Sequence, residues 1–113
     1  MLKLIVAVKR RQGMSVEEFH NHWSTVHANL IKTTPVCRRY IRKYVQCHTV
    51  PEEYVSGDAP YDGTAEVWFD SVADKEAFFQ HPEYLAKIRP DELLFADLEK
   101  TKFFVTREER ILP

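Results

Sequence analysis

Apolar residues along the chain change period several times, and each change marks an element. In Leu2-Lys-Leu-Ile-Val-Ala-Val-Lys9, Leu2, Leu4, Val6 and Val8 take one face and Ile5 and Ala7 the other. The run is too short and too β-branched for a buried helix, so it predicts a strand with apolar residues on both faces. Gln12-Gly13 turns the chain into a helical stretch from Ser15 to Leu30. At about 100° per residue, Phe19, Trp23, Val26 and Leu30 fall within one roughly 60° sector, an apolar stripe expected to be buried. Ser15 and Glu18 form a capping box, in which hydroxyl and carboxylate each satisfy an orphan amide of the first turn. His20 and His27 project almost together beside Trp23 on this wheel. His22 falls on the opposite flank.

Thr33-Thr34-Pro35 ends the helix, because proline cannot continue it. Val36 to Val50 has no helical stripe and many β-formers, which predicts a second strand. In an alternating register Tyr40, Tyr44, Gln46 and His48 share a face, and Cys37, Ile41, Val45 and Cys47 share the other. Pro51 to Gly63 is turn chemistry throughout, a loop in which Tyr54 and Tyr61 could act as a lid. Thr64 to Asp70 reads as a third strand, with Ala65, Val67 and Phe69 on one face and Glu66 and Trp68 on the other. Ser71 caps a helix to about Gln80 that buries Val72, Ala73, Glu76 and Phe79. Pro82 opens a short helix to about Lys87. Arg89-Pro90-Asp91-Glu92 should break it, with Leu93, Leu94 and Phe95 returning to the core. Asp91 either caps one more turn or aims its carboxylate inward, capping being the commoner use. Glu99 to Thr106 predicts the last strand.

The order β-α-β-β-α-β predicts an α+β fold, a ferredoxin-like domain whose four-stranded antiparallel sheet carries helices on one side. Trp68 and the two-faced strands then lack cover. A second sheet from another copy would supply it, which predicts a homodimer. With 113 residues, 44% of them hydrophobic, 29% charged and only three glycines, the chain reads as one globular domain over residues 1–113. A net charge of −1 gives no attraction to nucleic acid or anionic membrane. No apolar run is long enough to span a bilayer, and Leu2 to Val8 is too short for a secretory signal, so the expected compartment is cytoplasmic. Cys37 and Cys47, in one extended strand, would stand roughly 33 Å apart and could not pair; both read as small buried thiols.

The chain has no glycine-rich phosphate loop, no zinc-finger spacing of histidine and cysteine, and no Gly-x-Ser-x-Gly elbow. The expectation is a protein without metal, flavin or haem. What remains is an acid–base constellation: His27, His48, Tyr40 and Asp91, with Trp23 as an aromatic wall. A histidine at the rim of an apolar face can border a pocket and titrate near neutrality, though an ordinary boundary histidine has the same pattern.

Lys9-Arg10-x-x-Gly13-Met14-Ser15-x-x-x-Phe19-x-x-x-Trp23-x-x-x-His27-Ala28-x-Leu30, then Arg39-Tyr40 and a histidine near the end of the next strand, resembles the EthD family. So do Ala65-Glu66-Val67-Trp68-Phe69-Asp70 and Asp91-Glu92-x-x-Phe95-x-Asp97. The resemblance implies a dimeric α+β barrel. It also implies a cofactor-free enzyme that moves protons on an aromatic, polyketide-like or lactone substrate, as a decarboxylase, dehydratase or isomerase. A cofactor-free monooxygenase, or a non-catalytic ligand-binding accessory protein of a catabolic operon, are the alternatives. His27 matches the family's Trp-x-x-x-His signature, and His48 a histidine that is catalytic in some relatives. Tyr40 and Trp23 match pocket positions, and Asp91 with Phe95 the acidic motif. The candidate catalytic residues are therefore His27, His48 and Tyr40. The candidate substrate-binding residues are Trp23, Phe19, Trp68, Asp91 and Phe95, around a small hydrophobic or aromatic ligand. The Pro51 to Gly63 loop varies widely among relatives.

Overall fold

A computed structural model describes residues 1–113. Strand β1 (Leu2–Val8) lies between β3 (Gly63–Phe69) and β4 (Lys102–Thr106), and β2 (Ile41–His48) pairs with the far edge of β3. All three ladders are antiparallel and the order is β2-β3-β1-β4, the ferredoxin-like arrangement. Alternation works as expected in β3, where Gly63, Ala65, Val67 and Phe69 are buried and Thr64, Glu66 and Trp68 point to the other face. The helices cover the Leu4, Val67 and Phe69 side, with Phe19, Trp23, Tyr84 and Ile88 packed into the core at no more than 1% exposure. No helix is long and apolar enough to cross a membrane.

The first helical region begins as α1 (Val16–His22), with the Ser15–Glu18 capping box formed in both directions. It then widens into a π-helical turn, Trp23–His27, before α2 (Ala28–Thr33). Within that turn the amide of Ala28 donates to the carbonyl of Trp23, five residues back. The extra residue rotates the C-terminal part of the helix relative to α1. Val26, expected in the buried stripe, is 49% exposed, and His27 takes the inward position at 4%. His22 and His27, which a regular helix would hold about 140° apart at 100° per residue, come to one side, and His20 leaves it.

The second strand is shorter than expected. Residues 35–40 form a helix, α3 (Pro35–Tyr40), because Pro35 stands where a first helical residue needs no amide and Glu83 accepts the free amide of Val36 at 2.7 Å. That second stabilisation comes from a distant element and is invisible locally. Tyr40 thus ends a helix and is not on the strand, and a bulge between Ile41 and Lys43 turns Ile41 to the helix side opposite Phe69. Cys37 is buried in α3, its thiol pushed up to about 11 by burial, while Cys47 is exposed on β2; both are free.

Ser71 caps α4 (Val72–Gln80), but the buried face is that of Phe78, packed on Phe69 and Tyr84; Val72 is 51% exposed. Pro90 does not break the next helix. A second π-helical turn, Tyr84–Ile88, runs straight into α5 (Arg89–Phe95), and Pro90 stands just past this widened ladder, where its missing amide is tolerated. Phe95 reaches the core, whereas Leu93 and Leu94 are each 54% exposed. The last strand starts only at Lys102, because Asp97 accepts the amides of Glu99 and Lys100 and holds that stretch as a turn.

The opposite sheet face carries Ile5, Val45, Trp68 and Phe104 and has no helix over it. Phe104 is 53% exposed. Trp68 donates its indole N–H to Glu108 at 2.7 Å and lies under the ammonium groups of Lys3 and Lys43.

Candidate active site

Between the sheet and the helices lies a cavity of about 380 Å³. Val6, Val67, Ile88 and Phe95 make most of its wall apolar, and few polar groups reach it. Trp23 and His27 enter it from the π-helical turn, Tyr44 from β2, and Tyr84, Arg89 and Glu92 from the helical stretch at 84–95. This composition, a mostly apolar hollow with a few convergent polar groups, suits an organic ligand of modest size.

His27 is the inward group whose geometry is most constrained. Its Nδ1 lies 2.9 Å from Oδ2 of Asp91, and Nε2 of His22 lies 2.9 Å from Oδ1 of the same carboxylate. A carboxylate can only accept, so His27 carries its proton on Nδ1 and His22 on Nε2. The Nε2 of His27 keeps its lone pair and has no partner in the protein, and His27 is part of the cavity wall. Burial holds the His27 pKa below its usual value even though Asp91 pulls the other way, so the ring is neutral near pH 7. A neutral imidazole with an oriented lone pair is a general base, and its conjugate acid can return the proton. Asp91 is therefore not a helix cap. Its carboxylate aims inward, 7% exposed, and orients two histidines.

Phe95 packs edge-on against His27, with ring centroids 4.9 Å apart, and Phe19 supports Trp23 and Phe95 from behind without lining the cavity. His48 is elsewhere. It lies behind Trp23, with ring centroids 4.5 Å apart, in a second polar network. There Gln46 donates its amide to the carbonyl of Trp23, so its oxygen faces His48 and accepts from Nε2; Nδ1 of His48 is 2.7 Å from Nδ1 of His20. Both ring nitrogens of His48 are engaged and neither reaches the cavity of His27. The same network continues through Tyr54 to Asp62, a wholly buried carboxylate that also accepts from the backbone and side chain of Arg10. The Pro51 to Gly63 loop is thereby tied to the body of the domain at Tyr54 and Asp62.

Tyr40 lies near His81, with ring centroids 6.4 Å apart, and is not part of the cavity wall. Trp68 points to the far side of the sheet. Thus the structure brings together His27, Asp91, Trp23 and Phe95, and leaves His48, Tyr40 and Trp68 apart from them. It adds His22, Tyr84, Arg89 and Glu92. The five-residue spacing of His22 and His27 was a visible signal, but only a π-helical turn gives it meaning. Arg89 and Glu92 stand at a helical i, i+3 spacing that a breaking proline concealed. No group of three or more histidine, cysteine or carboxylate side chains is arranged to hold a metal ion.

The family model for the EthD domain matches residues 11–99. The chain belongs to the EthD family. Both π-helical turns, His27, Asp91 and Glu92 fall inside the matched EthD domain. The EthD chain is 25% identical over 113 residues to the dehydratase aurZ of Gibberella zeae, covering 90% of this chain and 73% of that one. It is 27% identical over 110 residues to a decarboxylase of Claviceps purpurea, covering 88% of this chain and 77% of that one. Among solved structures, an EthD family protein of Bacillus halodurans superimposes with a TM-score of 0.69 at 19% identity, covering 96% of this chain and 99% of that one. A dimeric ferredoxin-like protein of unknown function from Bacteroides fragilis gives 0.63 at 21% identity, over 95% of each chain. These two share the fold. The enzyme names of the fungal relatives support a decarboxylase or dehydratase type of chemistry at the level of the family.

Proposed function

We propose that this EthD domain is a cofactor-free lyase that uses His27 for proton transfer on an aromatic or polyketide-like substrate bound in the cavity. The single observation that carries this reading is the free Nε2 of His27, a residue of the apolar cavity wall whose Nδ1 Asp91 holds. Removal of a proton next to a carbonyl starts a dehydration, and addition of one to a ring carbon completes a decarboxylation. One well-placed imidazole serves either. The relatives named as dehydratase and decarboxylase support the same choice of chemistry. We further propose that the chain works as a cytoplasmic homodimer, its second copy covering the Ile5, Val45, Trp68 and Phe104 face.

The test is turnover of a panel of hydroxylated aromatic acids and cyclic hydroxy ketones. His27→Gln keeps a hydrogen-bonding side chain but cannot titrate, and should lower turnover about 100-fold or more. If His27→Gln turns over like the unmodified protein, the chemistry lies elsewhere. Oxygen uptake coupled to product formation would point to a monooxygenase. Ligand binding that His27→Gln leaves intact, with no turnover in either protein, would make the cavity a carrier site.

A further inference from the structure

Glu92 is the residue after Asp91 on α5, and about 100° of helical rotation sends the two carboxylates in different directions. Asp91 turns to the histidines. Glu92 enters the cavity among apolar walls. Its Oε1 accepts from the hydroxyl of Tyr84 at 2.7 Å and from Nε of Arg89 at 3.2 Å, while Nε of Arg89 also reaches the Tyr84 oxygen at 3.2 Å. Every protein donor to this carboxyl is therefore on one oxygen. Oε2 has no partner in the protein, yet it is not sealed from the surroundings. With Oε1 occupied by two donors, a proton on this group can sit only on Oε2. Burial raises the Glu92 pKa, against the pull of Tyr84 and Arg89, and the neighbouring Asp91 charge adds to the rise. The other cation at the cavity, Lys75, is paired with Glu76 at 3.0 Å and makes no contact with Glu92.

We propose that Glu92 is a second catalytic residue, a proton donor acting through Oε2, and that with His27 it equips the cavity to expel water from a cyclic β-hydroxy ketone. Such a reaction has two proton transfers at different atoms, and a carboxylic acid beside the cavity provides a separate donor for the second. The Nε2 of His27 removes the proton on the carbon between the carbonyl and the hydroxyl-bearing carbon. The freed electron pair forms a carbon–carbon double bond as the carbon–oxygen bond breaks. The departing hydroxide takes the Oε2 proton and leaves as water. Return of the proton from His27 to Glu92 through solvent restores both groups, with no oxidant or reductant consumed. In a fused-ring substrate the product then becomes aromatic by tautomerisation. This assignment rests on the reading of His27 as the proton-transfer group.

Two probes separate the two claims. The β-hydroxy derivative of α-tetralone becomes α-naphthol on losing water, which fluorescence follows. Plain α-tetralone has no leaving group, and exchange of its α-hydrogens in deuterated water needs the base alone. Glu92→Gln, which keeps the size of the side chain, should lower naphthol formation about 100-fold while tetralone exchange stays within about twofold. His27→Gln should lose both. Normal naphthol formation by Glu92→Gln overturns the proposal and leaves His27 standing. Equal loss of both reactions in a folded Glu92→Gln makes Glu92 structural and also overturns it. Failure of the unmodified protein to accelerate either reaction removes the underlying reading and this one with it. If Glu92→Gln does not fold, Glu92→Asp, which withdraws the carboxyl by one methylene, must show the same split between the two probes for the proposal to survive.

Discussion

His22 and His27 donate to opposite oxygens of one carboxylate, that of Asp91, each at 2.9 Å. The two histidines are five residues apart, and they meet on a common partner because the helix between them is widened by a π-helical turn. Asp91 fixes the tautomer of His27, so its amide analogue is the sharpest probe of the pair.

Asp91→Asn should lower turnover by about 100-fold or more, because an amide oxygen oriented to one histidine presents its NH₂ to the other and no longer enforces the Nδ1–H tautomer of His27. His22→Gln keeps one donor to Asp91 and should cost less than tenfold. Steady-state rates for the two variants, with far-ultraviolet circular dichroism to verify folding, check the order. A fully active Asp91→Asn would leave the carboxylate as a purely structural group.

Burial lowers the pKa of His20, His27 and His48 below the ordinary 6.5. The unfolded chain therefore binds more protons than the folded one between each depressed value and 6.5, and stability rises with pH through that window. Above about pH 6.5 this contribution is complete, and it is lost as the pH falls through the folded values. Urea midpoints should be level from about pH 7 to 8 and fall below about 6. Turnover that depends on neutral His27 should show an acid limb below 6.5 as well, and His27→Gln should flatten part of the stability profile.

Gly63 has no room for a side chain. A Cβ there would press on the carbonyl oxygen of Cys47 and come within 2.7 Å of the Trp23 ring. Gly63→Ala should destabilise the domain by about 1–3 kcal/mol through overpacking, and should disturb the cavity by displacing Trp23. Thermal unfolding and intrinsic tryptophan fluorescence measure the two effects. An unchanged midpoint would mean that β3 yields at its first residue.

If a second copy covers the outer face, the interface should exclude of order 1,500 Å² from water. Phe104→Asp should then shift sedimentation toward the monomer at micromolar concentration, while Val72→Asp, an equally exposed change on the helix side, should not. A stable monomer of the unmodified chain would reject the homodimer.

The order of the strands and main helices, the cap at Ser15 and the two faces of β3 were legible in the residues, because periodicity and local hydrogen bonding within a few positions dictate each of them. His27, Trp23, Asp91 and Phe95 were legible as candidates too, Asp91 with its inward alternative beside the commoner cap. Tertiary structure decided how they are used. The π-helical turn that exchanges Val26 for His27, and the second one that carries the helix past Pro90, change the helical rotation, which no pattern with a 3.6-residue period encodes. Glu83 accepts the Val36 amide from 47 residues away, so Tyr40 ends a helix and leaves the strand. Likewise His48 is held by His20, 28 residues distant, and is turned away from the cavity. Periodicity reports which face a residue shares with its neighbours. Which partner waits on that face is settled only when distant segments pack, because hydrogen bonds and burial depend on distance in space and not along the chain.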